Sequence, residues 1–429
     1  MTKIVFIGAG SVEFTKNLLG DILTFPEFSD CTISLHDIDP VRLETGEMMA
    51  RWTAKALGVS PKIEAYLDRR DALVGANYAI NMIQVGMHEA TLIDFDIPRR
   101  YGIKQTIADS HGIGGIFRAL RTIPVMQSIA RDMEELCPKA LLLNYTNPMS
   151  MLCWSVFASS PTPIVGLCHS VQHTTMAISE YAGVPYEEVT YLGAGINHFS
   201  GLLRFEYKGK DAYPLLRKAY QEGRFPADDL VRAELFNHLG YYVTESSEHD
   251  AEYCSYFIPH ESEIKRLNIP IDEYIRRSEE NLQEFDRTRK MLLKGEPFEI
   301  ERSAEYGSLI IHSMETGQPR VIYGNVRNSN LITNLPEGCC VEVPCLVDRN
   351  GIQPTHIGNI PVQLAGMMRP HITVQELTVK AALEGRRDYV YYAAMYDPLV
   401  SATLTLDQIW SMVDDLIAAH GDAMPAGIR

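Results

Sequence analysis

At 429 residues, 46% hydrophobic and 22% charged, the chain has the make-up of a soluble globular protein with two or three domains' worth of length. A formal net charge of −16 excludes a general affinity for nucleic acid or anionic membrane. No window approaches the ~18 uninterrupted apolar residues of a membrane span. The opening run Ile4-Val5-Phe6-Ile7 is too short for a signal peptide and meets Gly8-Ala9-Gly10 directly, so a cytoplasmic protein is expected. Eight cysteines show no CxxC or finger-like spacing and are expected as free thiols of a reducing compartment.

Lys3 to Ile7 predicts a buried strand, Gly8-Ala9-Gly10-Ser11 a turn, and a helix begins near Phe14. A Gly-x-Gly between strand and helix lets the backbone approach a pyrophosphate, which the helix N-terminus then stabilises. The third glycine of the usual fingerprint is replaced by Glu13, while Ser11 adds a hydroxyl donor. A second strand, Thr32 to Leu35, leads to Asp37, placed to bind the adenosine ribose hydroxyls. An acid there repels a 2′-phosphate, so NAD+ is expected rather than NADP+.

Further strands are predicted at Tyr78 to Ile83, Ala140 to Leu143 and Ile164 to Leu167, with helices over Val41 to Ala56 and Ile123 to Leu136. This βαβ alternation calls for a parallel, Rossmann-like sheet. Its strand ends carry polar groups at Gln84, Asn147 and Cys168-His169-Ser170-Val171; Asp109-Ser110-His111-Gly112-Ile113-Gly114-Gly115 reads as a loop close to a ligand, or as an irregular turn. Val189 to Ile196 is another strand and ends in Asn197-His198. A thiolate and an imidazole at two strand ends suit a divalent metal, although buried Cys is common without one. Phe199 to Tyr207 then alternates like a strand, with a hairpin turn at Lys208-Gly209-Lys210. From Tyr213 the chain reads as mostly helical, including Asp272 to Leu293 and Val374 to Leu383, interrupted by a strand at Val341 to Leu346. Glu245, His249 and Tyr253 are spaced by four and are expected on one helical face.

These stretches together resemble the NAD- and metal-dependent family 4 glycoside hydrolases, relatives in fold of lactate and malate dehydrogenases. The resemblance runs through Gly8-Ala9-Gly10-Ser11, Ala119-Leu120-Arg121-Thr122-Ile123-Pro124, Asn147-Pro148 and Cys168-His169-Ser170-Val171. It continues through Gly195-Ile196-Asn197-His198, Asn334-Leu335-Pro336 and Val341-Glu342-Val343-Pro344. It implies an α/β fold, with an NAD-binding Rossmann-like domain over 1–195 and an α+β domain for substrate and oligomerisation over 196–429. The Cys168-His169-Ser170-Val171 form, and Gln84 where phosphoglycosidases carry an Arg, resemble the branch acting on unphosphorylated sugars. Thr244 to His249 is most similar to the melibiase-type α-galactosidases, which implies hydrolysis of α-galactosides of the melibiose or raffinose kind.

The implied chemistry is an exception to the two-carboxylate rule of glycosidases. NAD+ takes hydride from sugar C3, the ketone acidifies the C2 proton, a base removes it, and the C1 leaving group departs. Water then adds to C1, and the hydride returns. The resemblance implies Cys168 and His198 as ligands to Mn2+, with Fe2+, Co2+ or Ni2+ also compatible with a thiolate. It implies Gly8, Gly10, Ser11, Asp37 and Asn147 at NAD+, and Asp109, Asn147 and His169 at the sugar. His169 is expected to protonate the leaving oxygen; Glu245 is the expected base, followed by Tyr253 and Asp250. A homodimer or homotetramer without nucleic-acid or membrane partners is expected. α-Glucosidase and α-galacturonidase activities stay open, and a 2-hydroxyacid dehydrogenase or a non-enzymatic NAD-binding regulator more remotely.

Overall fold

The computed structural model describes residues 1–296 and 300–429. Its strands are β1 (Lys3–Ile7), β2 (Thr32–His36), β3 (Lys62–Tyr66), β4 (Tyr78–Asn81), β5 (Leu141–Asn144) and β6 (Ile164–Leu167). There follow β7 (Val189–Ile196), β8 (Phe199–Tyr207), β9 (Lys210–Asp211), β10 (Arg320–Arg327), β11 (Cys340–Asp348) and β12 (Gly351–Pro354). The first six pair in parallel in the order β3-β2-β1-β4-β5-β6. That is the doubly wound dinucleotide-binding order, with its switch point beside β1. β1, β2, β4 and β5 are buried almost throughout, because helices cover both faces, and they therefore read as unbroken apolar runs.

The sheet does not end at β6. β10 joins it antiparallel, and the order continues β10-β11-β7-β8-β9, with β12 paired to β11. Four of these strands, β3, β9, β10 and β12, lack a sequence prediction. β3 is a half-exposed edge strand, Lys-Ile-Glu-Ala-Tyr, and β10 begins and ends with Arg. No helix among the described residues is long and apolar enough to cross a membrane.

Two sequence expectations need correction. The helix expected from Ile123 begins at Gly112, so the glycine-rich segment is largely its first turn. A Cβ at Gly115 would lie 2.8 Å from the carbonyl carbon of Ser110, so only glycine lets the incoming chain cross that turn. The helix bearing His249 and Tyr253 is Ser247–Tyr253, capped by the Ser246 hydroxyl. Glu245 lies outside it with φ 84°, so the expected three-residue helical face reduces to His249 and Tyr253.

Candidate active site

The carboxyl ends of β1, β4, β5 and β6 open on one edge of the sheet. Gly10 donates its N–H to Asp37 Oδ2 at 2.9 Å, and Asp37 Oδ1 accepts from Asp39 N at 3.0 Å. Asp37 therefore first braces the glycine turn, and each oxygen keeps a lone pair for a ribose hydroxyl. A Cβ at Gly10 would stand 2.4 Å from Arg42 Cβ, so the cradle tolerates no side chain there. Ser11 precedes the helix Val12–Leu23 without capping it, which leaves its hydroxyl for a phosphate. A cavity of about 890 Å³ lies beside the first turns of that helix, lined by Val12, Lys16, Arg42, Gln84, Met87 and Tyr274 among others. Its size and its helix N-terminus fit a dinucleotide.

Cys168 follows β6, and His198 forms the two-residue turn between β7 and β8 with φ 64°. Positive φ is uncommon for a residue with a side chain and marks a position fixed by its surroundings. The Cys168, His198 and Glu245 donor atoms all lie within 4.8 Å of one another. Glu245 Oε2 is 3.8 Å from both Cys168 Sγ and His198 Nε2. Ser110 Oγ donates to Asp109 Oδ1 at 2.7 Å and lies 3.0 Å from His198 Nδ1. The hydroxyl oxygen thus accepts from Nδ1–H, which leaves the Nε2 lone pair facing the cluster, as metal-ligating imidazoles require. Burial lowers the His198 pKa to about 4, so the ring is neutral. Burial and the nearby Glu245 and Glu342 push the Cys168 thiol well up. A divalent cation reverses that balance by displacing the proton. Sulfur, imidazole and carboxylate donors fit one transition-metal dication.

Beside the cluster lies a polar wall. Asn147 Nδ2 donates to Asp109 Oδ2 at 2.9 Å, and His249 Nε2 is 3.6 Å from Asp109 Oδ1. Burial opposes the Asp109 charge, but His249 and Arg118 outweigh it and hold its pKa well below the carboxylate range. Asn147 Oδ1 and His249 Nε2 are buried without a hydrogen-bond partner among the described residues. Unpaired polar atoms beside a cluster of donors suit a ligand rich in hydroxyls. On the other side of the cluster, half-exposed His169 has its Nδ1 3.2 Å from Glu305 Oε1. Burial disfavours its charge, yet the Glu305 hydrogen bond and charge prevail and raise its pKa. The alkaline limb of activity should therefore lie above the ordinary imidazole value, and it should move down in Glu305→Gln. A pH profile identical in the two proteins would remove His169 as the acid.

Two candidate bases are placed elsewhere. Tyr253 is buried, stacks on Phe199 at 5.3 Å, and gives its O–H to the Asn197 carbonyl at 3.3 Å. It braces the His198 turn from within the core. Asp250 is fully buried, away from the open cleft where a base must meet substrate, and burial raises its pKa well above the usual range. Glu252 carried no sequence signal, since a lone Glu in a helical stretch reads as solvated surface. Its carboxylate accepts backbone N–H bonds from Thr106, Ile107 and Ala108 at 2.6–3.2 Å. It therefore ties the helix Ser247–Tyr253 to the strap that delivers Asp109 and Ser110. Glu305 was equally unmarked.

Comparison with known proteins gives the family of the chain. The family model "Family 4 glycosyl hydrolase" matches residues 3–184, and "Family 4 glycosyl hydrolase C-terminal domain" matches residues 193–400. The chain is 47% identical over 429 residues to an α-galactosidase of Bacillus subtilis strain 168, covering 99% of each chain. It is 34% identical to an α-galactosidase of Rhizobium meliloti strain 1021, covering 99% of this chain and 89% of the other. Among solved structures it resembles a 6-phospho-alpha-glucosidase from gut microorganisms in complex with NAD and Mn2+, with a TM-score of 0.83 at 18% identity, covering 99% of each chain. The chain belongs to family 4 of the glycosyl hydrolases.

Proposed function

We propose that the protein hydrolyses unphosphorylated α-galactosides, with NAD+ and a divalent ion, Mn2+ first among candidates, as resident cofactors. The observation that carries this reading is the Cys168–His198–Glu245 donor cluster on the sheet whose first strand ends in the Gly8–Gly10 turn braced by Asp37. Two α-galactosidases of the same family, similar over almost the whole chain, support the sugar. When bound, the nicotinamide supplies a reversible acceptor for the C3 hydride, and the metal supplies Lewis acidity toward O2 and O3.

The chain's own residues supply the rest. Gly8, Gly10, Ser11 and Asp37 hold the dinucleotide, and Cys168 and His198 hold the metal. Glu245, whose ionised form is opposed by burial but favoured more strongly by its other charged neighbours, among them His249, His169 and Arg232, takes the C2 proton. His169, oriented by Glu305, gives a proton to the leaving oxygen. Asp109, Asn147 and His249 bind sugar hydroxyls. Tyr253 drops out of the acid–base set, because its hydroxyl is committed to Asn197. Gln84, on the cleft wall, offers no charge to a 6-phosphate. Assembly as a homodimer or homotetramer belongs to the same proposal.

The test is a side-by-side assay of nitrophenyl α-galactoside, α-glucoside, α-galacturonide and a 6-phospho-α-glycoside with NAD+, Mn2+ and a thiol reductant. The α-galactoside should be cleaved fastest, with no NADH accumulating. A faster rate on the phosphorylated sugar, or on either of the other two sugars, would overturn the substrate assignment.

A further inference from the structure

Glu245 sits in a left-handed backbone conformation at the centre of the active site, and its main chain is held from both sides. Its N–H donates to Thr174 Oγ1 at 3.3 Å, and its carbonyl accepts from Arg232 at 2.5 Å. The same Arg232 nitrogen also donates to Thr174 Oγ1 at 3.0 Å, which closes a small ring of hydrogen bonds around the residue. Arg232 is buried and locked in turn: its Nε and remaining terminal nitrogen both reach Asp229, at 2.5 and 2.7 Å. Asp229 accepts further hydrogen bonds from Tyr181, Tyr242 and Ser247 at 2.7–3.1 Å. Ser247 opens the helix that carries His249. One residue earlier, Thr244 is bonded to Ser200, two residues from His198, in both directions.

In this backbone conformation Glu245 Oε2 lies 3.8 Å from both Cys168 Sγ and His198 Nε2. Left-handed geometry is strained for a residue with a side chain and persists only where the surroundings over-determine it. We infer that Thr174 and the Arg232–Asp229 pair form a clamp whose task is to hold Glu245 in this conformation, so that its carboxylate stays within reach of the metal ligands and of the sugar C2 proton. Thr174 and Arg232 are positioning residues: their contacts are to the Glu245 main chain rather than to the reacting groups. The inference rests on the role proposed for Glu245 above.

Removing Arg232 would leave Asp229 buried and unpaired, so a truncation there risks unfolding. Thr174→Val is the cleaner probe, because it keeps shape and removes only the hydroxyl, and Thr174→Ser restores it; Arg232→Lys keeps the charge without the guanidinium fork. Each variant would be compared with wild type and Glu245→Gln for Mn2+ affinity by electron paramagnetic resonance, kcat, KM and thermal unfolding. In Thr174→Val and Arg232→Lys, Mn2+ affinity should fall by about 10–100-fold, the range for lost outer partners of metal ligands. kcat should fall with it and KM stay near wild type, while Thr174→Ser should return both affinity and kcat to near wild type. Folded Thr174→Val and Arg232→Lys proteins with wild-type Mn2+ affinity and kcat, beside a defective Glu245→Gln, would overturn the clamp alone. A Glu245→Gln protein with wild-type kcat and Mn2+ affinity would instead overturn the role of Glu245 itself.

Discussion

A Cys168→Ser variant is expected to lose both metal and activity while it keeps its fold and its NAD+ affinity. The substitution changes one atom at a partly exposed position, so no large cavity opens. What changes is the donor. Burial and the charges of Glu245 and Glu342 already hold the thiol protonated in the bare site, so the metal must displace that proton. A serine hydroxyl, far less acidic than a thiol, gives no comparable anion. Since losing even an outer partner of a ligand costs about 10–100-fold in metal affinity, losing the ligand should cost at least about 100-fold. kcat/KM should fall at least as far. Oxidising the wild-type thiol should mimic the variant, with recovery by reductant only from the sulfenic or disulfide state. Wild-type Mn2+ content in the serine variant, measured after dialysis, would remove Cys168 from the metal site.

Glu245→Gln should lower kcat by about 10²–10⁴-fold, the usual contribution of a positioned acid or base. Gln and Glu share shape and suffer the same cost at φ 84°, so the comparison isolates the carboxylate. NAD+ affinity should be unchanged, since the glycine turn and Asp37 belong to another part of the cleft. Metal affinity should weaken, because one oxygen lies 3.8 Å from both the Cys168 sulfur and His198 Nε2. Unchanged kcat with weakened metal binding would make Glu245 a ligand and not the base.

Much of this architecture is legible in the sequence, and physics explains which parts. Strands such as Lys3–Ile7 and Ile164–Leu167 are buried between helices and therefore appear as short apolar runs that stop at a polar residue. Their ends are the carboxyl edge of a parallel sheet, so Gly8, Asn147 and Cys168 are candidates by position, and the run of motifs along the chain strengthens them. His198 is legible for a related reason, since a strand breaks there. The supporting groups are not. Glu252, Arg232, Asp229 and Glu305 are charged residues in helical or irregular stretches, where charge ordinarily means solvent. Only the fold reveals that Glu252 receives three backbone N–H groups, or that Arg232 grips Glu245. The spacing of Glu245, His249 and Tyr253 misled in an instructive way. Ser246 caps the helix after Glu245, and Ser–x–x–His carries a weaker start signal than a Ser–x–x–Glu box.

On the proposed mechanism the glycosidic bond is broken by elimination after transient oxidation, with Glu245 handling the C2 proton. The most direct measurement is proton NMR of galactose released from an α-galactoside in D2O by the NAD+- and Mn2+-loaded enzyme. A carboxylate base at a cleft exchanges its proton with solvent, so the product should carry deuterium at C2. The C3 hydrogen, stored as hydride, should come back unlabelled. Exchange at C2 should be suppressed in Glu245→Gln. Released galactose that keeps protium at C2, from an enzyme that turns over normally in D2O, would contradict the account.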